Sequence, residues 1–375
     1  MCGNDGGGIR GNEWRKILMR IHFLTTKLGN ASGGAIYDQD FYNVLQKKHP
    51  DVKLFDDEFF LNMFGKTGQG AGLIEFNDFY NKYADRLFDC EYLVINSRLY
   101  TRFVKTNLNR ILRKYRNVRF LVIHHHNNYM NNKGLLYIIH RHFEMRILKK
   151  ATQLIIPNQY VIDQLKKAYQ FDNIICLPSS FEKKKYEISN LNTGNILFVG
   201  NIERRKGLIY GLKAFHLFSK TNKNYKFRIA GKFDENDSYY KKIKDFVAEK
   251  GLSGTVIFEG RVSDERLEWL YSHSDLFLFP SLLEGYGWVM IEAMGRGVPV
   301  MAFDNSAMPY TVRNNYNGIL VDNLNWEKMG NSMVRLLSDK EMLKKLQQGA
   351  LKTYEEVPSK VTLNRQIESF IENWE

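Results

Sequence analysis

The sequence predicts an α/β protein of two doubly wound domains, each a parallel sheet covered by helices. Three observations lead there. Short apolar runs alternate with helix-period segments through both halves of the 375 residues. Glycines sit where apolar runs pass into helices, at Gly33-Gly34, Gly200 to Gly207 and Gly285 to Gly287. The polar stretch FEKKKYEISNLNTGN, residues 181–195, separates the halves. The domains therefore read as 14–188 and 189–355, with a terminal segment over 356–375.

Composition narrows the class. The length suits about two to three domains with large cores. The three cysteines Cys2, Cys90 and Cys176 lie far apart, which suggests a reducing compartment with no disulfide framework and no zinc site. MCGNDGGGIRGNEWRK has no apolar core and reads as a loose leader. No window approaches the roughly 18 consecutive apolar residues of a membrane-spanning helix. The expectation is a cytoplasmic protein. The net charge of +13 is local: residues 101–150 hold 12 Lys plus Arg against one Asp or Glu. Such a concentration points to an anionic partner for the N-terminal half.

In chain order, Ile17 to Leu24 reads as a strand, and TTKLGNASGGA leads from it into a helix over Ile36 to Lys47. Gly33 and Gly34 at that turn suit a phosphate loop or tight helix-to-strand packing. GKTGQGAG at Gly65 to Gly72 lacks Walker spacing, since Phe60 stands where a glycine is required, and reads as a surface loop. Tyr92 to Asn96 is a strand. Thr101 to Arg116 is a basic amphipathic helix whose cations suit water or anionic headgroups. Val118 to Ile123 is a strand ending in His124, His125 and His126, and adjacent strand residues point to opposite faces and converge poorly on a metal. Leu135 to Lys150 and Tyr160 to Tyr169 are helices, with strands at Gln153 to Pro157 and Ile174 to Leu177.

The second half opens with the strand Asn195 to Val199 and the loop Gly200-Asn201-Ile202-Glu203-Arg204-Arg205-Lys206-Gly207. A cationic loop ahead of a helix N-terminus suits a diphosphate: the amides give direction and the cations give charge. Strands at Phe227 to Ala230 and Val256 to Glu259 follow, and Ser263 can cap the next helix. Phe277 to Phe303, FLFPSLLEGYGWVMIEAMGRGVPVMAF, is strand, glycine loop, helix and strand. Gly285 and Gly287 admit close approach by a ligand, and the free amides beyond them favour an anion. Glu284 and Glu292, with seven residues between them, can accept hydrogen bonds from sugar hydroxyls. Phosphate on amides with hydroxyls on flanking glutamates describes a nucleotide sugar.

This stretch, with F-x-P-S-x-x-E before it and E-A-M-x-x-G-x-P-V after, resembles the E-x7-E signature of retaining glycosyltransferases of family 4. The resemblance implies the GT-B fold, two Rossmann-like domains facing across a cleft, with the terminal helix crossing back to the first. It implies that Glu284 touches the donor sugar and Glu292 the nucleotide ribose. Lys206 would neutralise the leaving diphosphate with Arg204 or Arg205, since Asn201 stands where the family often has Arg. Gly285, Tyr286, Gly287 and Trp288 would form the donor loop, and the backbone near Val262 would meet the base. Gly33 and Gly34 would face the cleft, and His125 or His126 would lie near the reacting sugar. The family transfers sugar on the front face and needs neither metal nor other cofactor. The implied partners are a nucleotide-sugar donor and a saccharide or lipid-linked acceptor, with an anionic membrane surface suggested by the basic region. Two alternatives remain: a GT-B sugar-nucleotide epimerase, which needs no acceptor, and a non-enzymatic basic protein binding membrane or nucleic acid. Nucleic acid is not an expected partner, because it leaves the glutamates and glycines of the second half unused.

Overall fold

The computed structural model describes residues 19–26, 28–29, 33–56, 58–59, 85–99, 113–131 and 134–374. The leader, the GKTGQGAG loop and most of the basic helix expected over Thr101 to Arg116 lie outside the described residues.

One parallel sheet contains β1 (Ile21–Leu24), β2 (Lys53–Phe55), β3 (Tyr92–Asn96), β4 (Arg119–Ile123), β5 (Gln153–Ile156) and β6 (Ile174–Cys176), in the order β2-β1-β3-β4-β5-β6. A second contains β7 (Asn195–Val199), β8 (Lys226–Ala230), β9 (Val256–Gly260), β10 (Leu276–Phe279), β11 (Val300–Asp304) and β12 (Gly318–Asp322), in the order β12-β11-β10-β7-β8-β9. All pairings are parallel, for example Val94 opposite Leu121 and Phe277 opposite Val300. Every residue of β3 and β10 is buried, as expected for strands with helices on both faces. Strand order reverses between β1 and β3 in one sheet and between β7 and β10 in the other. A doubly wound sheet opens a crevice beyond the carboxyl ends of its strands at such a reversal.

Helices among the described residues include α1 (Gly33–Lys48), α2 (Gly134–Leu148), α3 (Gln159–Ala168), α4 (Leu208–Ser219), α5 (Ser238–Glu249), α6 (Asp264–Ser272), α7 (Trp288–Gly295), α8 (Met308–Thr311), α9 (Trp326–Ser338), α10 (Lys340–Glu356) and α11 (Lys360–Glu372). β2 and α10 are among the elements absent from the sequence expectation. β2 has three residues, too few for a period to register, and is fixed by pairing with β1. α10 was masked by its Lys- and Gln-rich composition, yet Leu343, Leu346, Ala350 and Tyr354 form its buried face.

Helix α11 crosses back onto the first sheet. Lys360 N donates to Phe181 O and Phe181 N to Pro358 O, which fixes the crossing point. Leu363, Ile367, Phe370 and Ile371 of α11, with Trp374, share a core with Phe23 of β1 and with Tyr37, Phe41 and Leu45 of α1. Trp374 stacks on Tyr92 at 4.4 Å between ring centroids, and Tyr92 Oη donates to Trp374 O at 2.7 Å. Ile367 is fully buried there. Ile367→Ala should therefore destabilise the protein by about 2–5 kcal/mol in denaturant titration. A loss within experimental error would mean that α11 is not docked in solution.

Candidate functional site

The second sheet's reversal brings two loops together. The loop after β7 carries Arg205 and Lys206, and the loop after β10 carries Ser281 and Glu284. Leu282 N donates to Arg205 O at 2.8 Å, and Ser281 Oγ donates to the same carbonyl at 3.1 Å. Gly207 makes this closure possible. Its φ is +62°, and a Cβ there would lie 2.0 Å from the Pro280 carbonyl oxygen.

The closure directs both cations onto one carboxylate. Glu284 Oε1 accepts from Lys206 Nζ at 2.6 Å and Arg205 Nη1 at 3.2 Å, and with Ser281 Oγ 2.8 Å away it shares that single hydroxyl proton with the Arg205 carbonyl. Arg205 also holds Glu203, and Lys206 lies over the Phe279 ring. Ser306 Oγ accepts from Glu284 N at 3.1 Å. Lys206 and Glu284 are largely buried while Arg205 is half exposed.

The first sheet supplies the facing wall. α1 starts at Gly33-Gly34, and a Cβ on Gly33 would stand 2.9 Å from the Trp288 ring across the cleft. Beyond β4, His125 Nε2 lies 2.9 Å from Asp38 Oδ1. Asp38 is buried on α1, and its Oδ2 accepts from Thr25 Oγ1 at 3.0 Å and from the Asn96 side chain. This network fixes the His125 ring, and the His125 carbonyl accepts from Asn158 Nδ2 at 3.1 Å.

Between these walls lies a cavity of about 380 Å³. Gly33, Gly34, His125 and His126 line it from the first half, and Arg205, Lys206 and Glu284 to Trp288 from the second. Asn201, Val262 and Glu292 are not part of that lining. Asn201 is exposed, its side chain 3.4 Å from Glu203 Oε1, and Val262 packs on the apolar cluster beneath α7. Glu292 accepts from Tyr271 Oη at 2.8 Å. Burial pushes the Glu292 carboxyl above its usual range, against Tyr271 and Arg296, which both favour the carboxylate.

Sequence reasoning missed Asp38 and the serines 281 and 306. Asp38 had a readable signal: it falls at helical spacing with Phe41, Tyr42 and Leu45, so an acid occupies an apolar face. The serines act through backbone contacts between distant loops, which sequence spacing does not encode. Among the described residues, no three His, Cys, Asp or Glu side chains gather as a metal site. His124 instead turns inward, with Nε2 2.9 Å from Asn127 Oδ1, and burial lowers its pKa to about 3.

His124 therefore stays neutral in the folded state while the unfolded chain takes up a proton near pH 6.5. Its contribution to stability is fully retained above about pH 6.5 and is lost progressively as pH falls toward 3, amounting to about 2 kcal/mol by pH 5. His124→Gln should flatten the fall in stability between pH 7 and 5 by about that amount, in denaturant titrations at each pH. An unchanged slope would contradict the buried neutral imidazole.

Comparison with known proteins follows this geometry. The family profile described as Glycosyl transferases group 1 matches residues 178–353. The alpha-1,3/1,6-mannosyltransferase ALG2 of Dictyostelium discoideum is 25% identical over 229 residues, covering 52% of each chain. Sucrose-phosphate synthase of Thermosynechococcus elongatus superposes with a TM-score of 0.76 at 19% identity, over 95% of this chain and 99% of the other. HepE of Anabaena, in complex with UDP and glucose, gives 0.71 at 16%, over 94% and 99%. The chain spans about a third to a half of the length of the curated relatives it matches first. The fold is GT-B.

Proposed function

We propose that this protein is a retaining, metal-independent glycosyltransferase of the family 4 type, acting in polysaccharide or glycolipid synthesis. It moves a sugar from a nucleoside-diphosphate sugar to a hydroxyl of a saccharide or lipid-linked acceptor. The observation that carries the reading is Lys206 and Arg205 converging on Glu284 in a cavity whose other wall is the start of α1 and the His125–Asp38 pair. Fold alone does not give function, so the weight rests on this chemistry. The family profile over the second half, a mannosyltransferase relative and a GT-B neighbour holding UDP and glucose support it.

The geometry suggests how the residues work. Without donor, Glu284 occupies both cations. A diphosphate entering at the α7 N-terminus competes for Lys206 and Arg205, which frees Glu284 to accept hydrogen bonds from the donor sugar. As the sugar–phosphate bond breaks, negative charge grows on the leaving diphosphate. Lys206, Arg205 and the amides near Gly287 and Trp288 are already aimed at it, and such preorganised support is a large catalytic term. The leaving phosphate takes the acceptor's proton on the same face, which retains the anomeric configuration and needs no protein nucleophile. Glu292, beside Tyr271 on α7, is assigned to the ribose, and Asn201 and Val262 to the outer part of the nucleotide site. Asp38 holds the His125 ring steady against the sugar. The acceptor is presented at an anionic membrane surface facing the cytoplasm.

Lys206→Ala should lower kcat by about 10²–10³, read as nucleoside diphosphate released in the presence of acceptor. Activity should survive chelating agents, and the product should keep the donor's anomeric configuration by NMR. Donor converted to its epimer without acceptor would instead establish the epimerase. Full turnover by Lys206→Ala would remove the leaving-group role assigned here.

A further inference from the structure

Glu284 is held by its side chain from one flank and by its backbone from the other. The segment from Ser281 to Glu284 lies between β10 and α7, and the strand order puts the loop after β7 on one side of it and the loop after β11 on the other. The β7 side supplies Arg205 and Lys206, which meet the carboxylate. The β11 side supplies Asn305 and Ser306. Asn305 Nδ2 donates to Ser281 O at 3.2 Å, and Glu284 N donates to Ser306 Oγ at 3.1 Å. Two adjacent side chains therefore fasten the first and last residues of the segment. They are also fastened to each other, since Ser306 Oγ donates to Asn305 Oδ1 at 2.9 Å. Asn305 Nδ2 donates as well to Asn323 Oδ1 at 2.6 Å, just beyond β12.

The backbone under this brace is strained. Met308 N donates to Asn305 O at 3.1 Å, which closes a four-residue turn. Its central residues are Ser306 at φ +44° and Ala307 at φ −80°, ψ −8°. A positive φ followed by such a residue is the pattern of a type II′ turn, whose first central position is ordinarily glycine. A side chain there costs conformational energy that glycine would not. The turn itself needs no hydroxyl; the Glu284 amide does. Ser306 Oγ accepts from that amide and gives its own proton to Asn305, and glycine can do neither.

We propose that Asn305 and Ser306 are positioning residues, which fix Glu284 through its backbone independently of the two cations. The independence matters once donor binds. In the ligand-free site Lys206 and Arg205 restrain the carboxylate. A diphosphate that draws both cations away removes those restraints just when Glu284 has to stand at a set distance from the sugar. The contacts of Ser306 with Glu284 N and of Asn305 with Ser281 O involve neither cation and persist through the exchange. A misplacement of about 1 Å in a reacting site costs about a hundredfold in rate, so a brace on this segment acts on turnover as well as on stability. The effect on turnover rests on the proposed transferase; the brace rests on the contacts alone.

Ser306→Gly and Ser306→Ala separate the brace from the strain, since both lose the hydroxyl and only glycine relaxes the turn. Tm should be about 1–3 °C higher in Ser306→Gly than in Ser306→Ala. kcat/KM for the donor, read as nucleoside diphosphate released in the presence of acceptor, should fall about tenfold to a hundredfold in both. The Tm shift given by nucleoside diphosphates should survive in both, because Lys206 and Arg205 are untouched. Amide hydrogen exchange over residues 281–286 should quicken in both, while β10 keeps its protection. Wild-type turnover in Ser306→Gly, or activity that recovers in step with Tm from alanine to glycine, would overturn the positioning role. So would unchanged exchange over 281–286. Faster exchange in the variants of a wild type that releases no nucleoside diphosphate would sink the transferase reading and leave the brace standing.

Discussion

The contact on which the site depends is the closure of the loop after β7 onto the loop after β10. It is held by Leu282 N and Ser281 Oγ on the Arg205 carbonyl, and it is sterically possible because residue 207 is glycine. With that closure, two cations from one strand end and a carboxylate from another meet at a fixed spacing. Without it, Arg205 and Lys206 would be a solvated basic loop, and Glu284 would be a carboxylate with nothing to exchange. The parallel sheet supplies the setting, since strand reversal between β7 and β10 leaves those two loops as neighbours.

The facing wall follows a different logic. In the first half a buried carboxylate, Asp38, organises Thr25, Asn96 and His125, and so sets the floor under the His125 backbone that meets the second half. Buried charge of this kind is tolerable only when its oxygens are matched by donors, and here they are. The same wall is braced from behind by Glu144 on α2, so one side of the cavity rests on two buried acids on two helices. The second half instead shows its charges to the cavity. That asymmetry suits one half that grips an anion and another that shapes the space before it.

The second half was the more legible in sequence. β7, β10 and α7 announce themselves through unbroken apolar runs, glycine punctuation and one helical face, and Glu284 falls in the loop between two of them. Asn201, Val262 and Glu292 were placed by resemblance, and all three stand outside the shared cavity. α10 was missed because lysines and glutamines dilute its apolar period, although its inward face is continuous. Asp38 was overlooked for the opposite reason: a helix so apolar on one face draws attention to its hydrophobes and away from the acid among them. The crossing of α11 depends on contacts between residues more than 300 positions apart, such as Lys360 with Asp40, and no local pattern encodes them.

The central claim is that the cations held by Glu284 form a diphosphate site. Thermal denaturation with UDP, GDP and ADP beside the matching monophosphates tests it most directly, in wild type and in Lys206→Ala. A ligand that binds only the folded state raises Tm, and at equal concentration raises it more the tighter it binds. The account predicts a rise with the diphosphate of one base, larger than with its monophosphate, and loss of that difference in Lys206→Ala. No shift with any nucleotide, or a difference that survives the substitution, would contradict it.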